Sequence, residues 1–241
     1  DLFWAMKIQV RKSYGLTEST TILNTDGAPG AIQVKSDGWI MPFPETEMKT
    51  TVDGEILVKG PQIMHGYFNR PQETQDMFTS DGWFKTGDLG TMDIHGYLNI
   101  TDRKKDIIIT SAGRKIAPMQ VESAFAAHPM ISQISVFGDS RKYLGALIVP
   151  DFDNLKIWAS DNGIRSDSIE ELITNSRVIA KYERITDKMN RFSGFAEPVK
   201  KFKLMQRQFM FEEGEATPSM RIKRKAIAAK YTKEIEALFA E

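Results

Sequence analysis

The apolar positions divide the chain into two differently patterned stretches. Up to about residue 104, short runs rich in β-branched and aromatic residues alternate with turn signals. They are "AIQVKS" (31–36), "TEMKTTV" (46–52), "GEILVKG" (54–60) and "GYLNIT" (96–101), separated by Asp-Gly, His-Gly and similar pairs. This spacing predicts a small, mostly antiparallel sheet or partial barrel. Beyond it the pattern turns to mixed helix and strand. Pro118 stands where a first helical turn tolerates it, and Val121 and Phe125 share one face of "PMQVESAFAAH". "ISQISVFGD" and "KYLGALIVPD" read as neighbouring strands, the second apolar throughout and so buried on both faces. In "SRVIAKYERITDKMNRF", Val178, Tyr182, Ile185 and Met189 form a helical packing stripe. A Lys-rich, edge-like strand, "PVKKFKLM", follows, and the chain closes on one amphipathic helix that buries Ile227, Tyr231, Ile235 and Leu238. The expected class is α+β.

Charge refines the boundary between the two stretches. "TDRKKD" sets charges in a row from Asp102 to Asp106 before "IIIT" opens a new strand. Such a run reads as a solvated turn and as the best linker candidate in the chain. It suggests two domains, 1–104 and 105–241. Overall, 32 Lys and Arg balance 32 Asp and Glu, so no net field favours nucleic acid or an anionic membrane. With no cysteine, disulfides and thiolate metal sites are excluded, and three scattered histidines make a structural zinc site a poor fit. His65 and His95 sit beside Gly in turns, and His128 follows a helix, where a C-terminal cation suits the helix dipole. All three are expected to be structural or exposed. No apolar run approaches the ~20 residues needed to cross a bilayer, so no transmembrane segment is expected. The opening "DLFWAMKIQV" already reads as the middle of a fold, so the chain is expected to be a fragment.

Three stretches carry candidate chemistry. "DGWFKTGDLG" (81–90) is rich in turn formers and reads alone as a hairpin. "SYGLTEST" (13–20) offers a flat ring at Tyr14, close backbone approach at Gly15, and a hydroxyl beside a carboxylate at Thr17 and Glu18. A nucleotide site wants such a set, and a strand ending in a capped turn is the other reading. "ITDRKKDIIITSAGRKIAP" (100–118) joins the charged run to a loop whose Gly113 lacks a Cβ that would block a ligand.

These three stretches together with "GEILVKGPQIMHGYFNRPQET" resemble, in order, signature motifs of the adenylate-forming superfamily, most closely bacterial long-chain fatty acid–CoA ligases. The resemblance covers nearly the whole chain. It implies the end of a large AMP-binding domain followed by a small mobile α+β domain. It also implies a two-step reaction in which ATP and a fatty acid give acyl-AMP and pyrophosphate, and coenzyme A then gives acyl-CoA and AMP. Under it, Tyr14 and Gly15 match positions lining adenine, Thr17 a phosphate contact, and Glu18 the Mg²⁺ ligand. Asp88 matches the residue gripping both ribose hydroxyls, Arg103 a second ribose or phosphate contact, Lys105 the hinge, and Gly113 the pantetheine tunnel. It implies a cytoplasmic location, and its lipid substrate allows peripheral contact with the inner membrane face.

Two departures stand out. No Gly, Ser and Thr-rich phosphate loop precedes residue 13, and the acyl tunnel belongs largely to the part not represented, so the chain alone is expected to be inactive. In "TPSMRIKRK", Arg221 stands where the family has the catalytic lysine of adenylation, with Lys223 two residues on. "RIKRK" also reads as a solvated basic run. The Arg221 replacement prompts an alternative, a non-catalytic nucleotide- or CoA-binding homologue acting as regulator or scaffold. A peptide-synthetase adenylation domain fits less well, because no carrier-protein serine motif follows.

Overall fold

Every turn-bounded apolar run in the first half must bury one face, and pairing them edge to edge does this. The computed structural model describes residues 6–8, 11–20, 22–25, 39–40, 45–166, 168–195, 197–218 and 220–240. The predicted strand "AIQVKS" and most of "DLFWAMKIQV" lie outside them. The chain divides into two units, Asp1–Lys105 and Asp106–Glu241.

In the first unit, β1 (Ser13–Tyr14), β2 (Asn24–Thr25) and β3 (Trp39–Ile40) form a small antiparallel sheet. Strands β4 (Glu47–Thr50), β5 (Glu55–Lys59), β6 (Phe84–Met92) and β7 (Leu98–Arg103) form an open antiparallel meander in sequence order. Helix α1 (Pro71–Asp76), with Pro in its first turn, lies in the β5–β6 connection. The core gathers Leu23, Ile56, Val58, Phe84 and Leu98 with Tyr14 and Met48.

Two expectations change here. Only Asp81–Gly82 of "DGWFKTGDLG" turns, with Gly82 N–H donating to the Thr79 carbonyl at 3.0 Å. From Phe84 onward the motif enters β6, because pairing with β5 on one side and β7 on the other absorbs the second Gly-Asp into the strand. The charged run is likewise no uniform solvated turn. Asp102 is 2% exposed within β7, and Lys104 pairs with Glu55 and Asp53.

In the second unit, β8 (Ile108–Ile109) and β9 (Lys115–Ile116) make a hairpin. The strand expected over "IIIT" shortens to two residues, and Ile109 is left 47% exposed because only Ile108 reaches the core. Helix α2 (Pro118–Ala126) leads to β10 (Ile131–Phe137) and β11 (Leu144–Pro150). Helices α3 (Phe152–Asp161), α4 (Ile169–Thr174) and α5 (Ser176–Ser193) then cross to β12 (Val199–Leu204). Strand β11 pairs antiparallel with β10 and parallel with β12, so β12 is an edge.

Burial on both faces of β11 follows from this order. Leu144, Ala146 and Ile148 pack with Val121 and Phe125 of α2 and with Val178, Tyr182 and Ile185 of α5, with Met189 at the margin. Leu147 and Val149 face the other cluster, with Phe209, Ile227, Ile235 and Leu238. The closing helix is two helices, α6 (Arg224–Lys230) and α7 (Thr232–Phe239). Tyr231 leaves helical geometry between them (φ −109°, ψ 34°), and its hydroxyl is engaged by Arg207 and Glu215. Helices α1, α3 and α4 carry no long apolar stripe and are not anticipated from the pattern.

Two hydroxyls on α5 face the core in opposite circumstances. Tyr182 donates to the Met130 carbonyl at 2.7 Å, whereas Thr186 Oγ1 is buried with no hydrogen-bond partner among the described residues. Tyr182→Phe is expected to lower stability by about 1–2 kcal/mol, and Thr186→Val to leave it unchanged or raise it by about 1 kcal/mol. Urea unfolding midpoints that fall equally for both would contradict this.

Candidate functional site

The site in the first unit is built on a bulge. Opposite β6, Glu55 pairs with Leu89 and Leu57 with Lys85, so Thr86, Gly87 and Asp88 together face Ile56. Gly87 takes φ +70°, a backbone conformation that glycine adopts without strain. Thr86 Oγ1 donates to the Ile56 carbonyl at 2.8 Å and accepts the Asp88 N–H at 3.1 Å, which fixes the bulge and the start of the Asp88 side chain.

Asp88 is 5% exposed, so its carboxylate needs partners. Its register neighbour on β7 is Arg103, whose Nε lies 3.2 Å from Oδ1. On its other side Tyr14 Oη donates to Oδ2 at 2.8 Å. Burial, and then the Asp88 charge, push the Tyr14 hydroxyl well above its usual range, so it stays a neutral donor. Tyr14 is held in turn by its N–H on Asn24 Oδ1 at 2.9 Å. The structure thus brings Tyr14, Asp88 and Arg103 together from three strands.

After β1, Gly15 and Leu16 lead into a short 3₁₀ turn, Thr17–Ser19, with Thr17 exposed and Glu18 half-buried. Tyr67 Oη donates to Glu18 Oε1 at 2.8 Å, and Met64 N–H donates to the Glu18 carbonyl at 2.8 Å. A chamber of about 500 Å³ opens between these elements, lined among others by Glu18, Tyr67, Thr86, Gly87, Arg103 and Lys105. Tyr14, Gly15, Thr17 and Asp88 are not among its lining residues. It offers a carboxylate, hydroxyls and cations around one opening, a set suited to a polar, anionic ligand. The Glu18 carboxylate is a hard oxygen donor of the kind a Mg²⁺ ion takes.

Thr86, Tyr67 and Lys104 carry this geometry, and the sequence reading gave none of them a role. Each of the three lies inside a different one of the quoted motifs. Lys104 Nζ reaches Glu55 Oε2 at 2.8 Å and Asp53 Oδ2 at 2.9 Å, anchoring the residue before Lys105, which is itself exposed.

The other predicted residues belong to the second unit. Gly113 sits at φ +74° in the β8–β9 turn, its N–H on the Thr110 carbonyl at 2.9 Å; a Cβ there would meet nothing within 4 Å, so backbone conformation is what calls for glycine. Arg221 is exposed on a loop, its N–H accepted by Thr217 Oγ1 at 3.0 Å and its carbonyl accepting the Thr217 N–H at 2.8 Å. "RIKRK" is not uniformly solvated: Ile222 bridges to Ala216, and Arg224 pairs with Glu122. His128 is not the dipole-matched cation expected, since burial, and then Lys181 and Lys188, favour its neutral form.

A family model described as the AMP-binding enzyme C-terminal domain matches residues 105–241. The long-chain-fatty-acid–CoA ligase FadD15 of Mycobacterium tuberculosis is 40% identical over 199 residues, which is 82% of this chain and 33% of that protein. Among solved structures, the A domain of carboxylic acid reductase from Segniliparus rugosus, in complex with AMP and a co-purified carboxylic acid, shares the fold. Its TM-score is 0.80 at 24% identity, over 99% of this chain and 36% of that one. O-succinylbenzoate coenzyme A synthetase from Bacillus subtilis, in complex with AMP, aligns at TM-score 0.65 and 27% identity, over 93% and 42%. The chain belongs to the AMP-binding enzyme family. It spans about a third of the length of the curated ligase it matches.

Beside the Arg221 loop lies Glu215, whose side chain is 0% exposed. Burial pushes its carboxyl upward, but Arg207, the Met210 N–H, Lys230 and the Tyr231 hydroxyl outweigh this and hold it at about 2, below the ordinary 4.5. A lowered native value means the stabilisation is complete above about pH 4.5 and is lost as pH falls toward 2. The thermal midpoint of the wild type is expected to fall more steeply over that window than that of Glu215→Gln. Parallel slopes would show that the carboxylate contributes nothing there.

Proposed function

We propose that the chain is the C-terminal portion of an AMP-forming long-chain fatty acid–CoA ligase. Residues 1–104 form the end of its large AMP-binding domain and residues 105–241 its small mobile domain. The observation that supports this best is the Tyr14–Asp88–Arg103 constellation beside the Glu18 chamber in a chain of this family.

In this reading ATP and a fatty acid give acyl-AMP and pyrophosphate, and the thiol of coenzyme A then displaces AMP. Tyr14 and Gly15 line the adenine, and Thr17 contacts phosphate. Asp88, an ionised acceptor, takes hydrogen bonds from both ribose hydroxyls, sharing its oxygens with the Tyr14 donor or displacing it. Arg103, already pointing at Asp88, offers its remaining guanidinium donors to ribose or phosphate. Glu18 would hold Mg²⁺, which when bound neutralises phosphate charge. Lys105 is the hinge: its exposed position after the anchored Lys104 leaves few contacts to break as backbone angles change. Gly113 lines the pantetheine path in the thioester-forming pose. Arg221 faces the reacting carboxylate and α-phosphate during adenylation. We place the protein in the cytoplasm, with peripheral contact at the inner membrane face to collect its lipid substrate.

In the full-length protein, Asp88→Asn is expected to reduce ATP–pyrophosphate exchange with palmitate by at least about tenfold, given about 1.5–3 kcal/mol per hydrogen bond to a charged group. Residues 1–241 alone are expected to show no exchange, and Arg221→Lys in the full-length protein to raise its rate. Unchanged exchange in Asp88→Asn would overturn the site. Arg221 is also the observation that favours a regulatory or scaffolding homologue. AMP binding by the full-length protein without acyl-CoA formation would select that reading.

A further inference from the structure

Two carboxylates gather donors at the two ends of the loop that carries Arg221. At the upstream end, Glu215 accepts from Arg207 Nη1 and Nη2 at 2.8 and 2.7 Å, from Tyr231 Oη at 2.9 Å, and from the Met210 N–H and Lys230 Nζ at 3.0 Å each. These donors come from the segment after β12, the end of α6 and the break between α6 and α7. The backbone of Glu215 closes the loop as well, its carbonyl accepting the Lys223 N–H at 2.8 Å, and the next rung is the Ala216–Ile222 bridge. At the downstream end, Arg224 grips Glu122 of α2 through Nη2 and Nε at 2.8 and 3.2 Å, and Glu122 Oε1 also accepts the Val136 N–H of β10 at 2.9 Å.

The loop is therefore a stem with an exposed tip. Its stem runs from Glu215 to Thr217 on one side and from Arg221 to Lys223 on the other, and Arg221, with its exposed side chain, forms the last rung with Thr217 just below the tip. A buried ion cluster contributes little net stability over apolar packing of the same volume, so what distinguishes this one is direction. Five hydrogen-bonded or ion-paired donors around one carboxylate leave the residue at the stem's base a single orientation. Glu215 carries both that carboxylate and the carbonyl that closes the stem, so rotating its side chain would disturb the ladder beneath Arg221.

We propose that Glu215 is a positioning residue for the adenylation half-reaction: it locks the base of the 216–223 stem and acts through Arg221, without touching substrate. This rests on the reading of Arg221 as the residue facing the reacting carboxylate and α-phosphate. On that same reading, with Lys105 as the hinge and the small domain carrying this loop away before thioester formation, Glu215 matters to the first half-reaction and not to the second.

The test compares Glu215→Gln, Arg221→Ala and their combination in the full-length protein. Two half-reactions are followed: ATP–pyrophosphate exchange with palmitate, and thioester formation from supplied acyl-adenylate and coenzyme A. Glu215→Gln is expected to lower exchange by about tenfold or more, since small misplacements of a positioned group cost rates of that order, and to leave thioester formation within about twofold. In the Arg221→Ala background it should cost less than about twofold more, because both changes remove the same contact. A purely structural role would lower both half-reactions alike and add its full loss in either background; that result overturns the proposal. If Arg221→Ala itself leaves exchange intact, the reading of Arg221 fails and this inference with it. Full loss in Arg221→Ala but none in Glu215→Gln overturns the inference alone. Should Glu215→Gln unfold at assay temperature, Tyr231→Phe removes one of the same hydrogen bonds and is read by the same two half-reactions.

Discussion

A carboxylate that is almost wholly buried must be met by donors, and Asp88 sets the terms for the first unit. Arg103 can reach it only if β6 and β7 hold the register that pairs them, and Tyr14 only if β1 brings its hydroxyl to the same point. The bulge at Thr86–Gly87 aims the side chain, and the hydrogen bonds of Thr86 keep the bulge from sliding. Two neighbouring strands and a third about seventy residues earlier therefore share one polar centre set against an apolar core. The cost of leaving any of these groups unpaired in that setting ties the local backbone to the chemistry.

The second unit follows a different constraint. Its central strand β11 is apolar throughout and needs a cover on each face. Helices α2 and α5 supply one, while α6, α7 and Phe209 supply the other. Covering the second face requires the chain to return after β12, and the Arg221 loop lies on that return path. The loop's exposed tip thus rests on elements fixed by the core, with Glu215 and Glu122 as polar ties between them. In both units a buried carboxylate, Asp88 in the first and Glu215 in the second, gathers donors and supplies direction where apolar packing alone would not.

The motifs were legible because local sequence carries them. Strands β4, β5, β7, β10, β11 and β12, helix α2 and the stripe of α5 stood out from periodicity alone, and the order of four short motifs pointed to the family that the comparisons then showed. Less legible were features that depend on pairing. "DGWFKTGDLG" contains two turn signals, and nothing local says that only the first turns while the second becomes a bulge. The row of charges that begins at the end of β7 looked solvated, yet Asp102 is buried and Lys104 is matched by Glu55 and Asp53, about fifty residues earlier in the chain. The closing amphipathic stripe hid a break at Tyr231, where a distant ionic cluster engages the side chain.

What the sequence determined by itself was periodicity and residue chemistry: which segments are strands or helices, which faces are apolar, and which hydroxyls, carboxylates and cations stand in the family's order. These are short-range properties, readable along the chain. Only the tertiary structure decided that Tyr14 and Arg103 both meet Asp88, that Tyr67 holds Glu18, and that Glu215 collects donors from three segments. Those contacts arise where strand register and core closure bring remote groups within hydrogen-bond distance, and no local pattern encodes that distance.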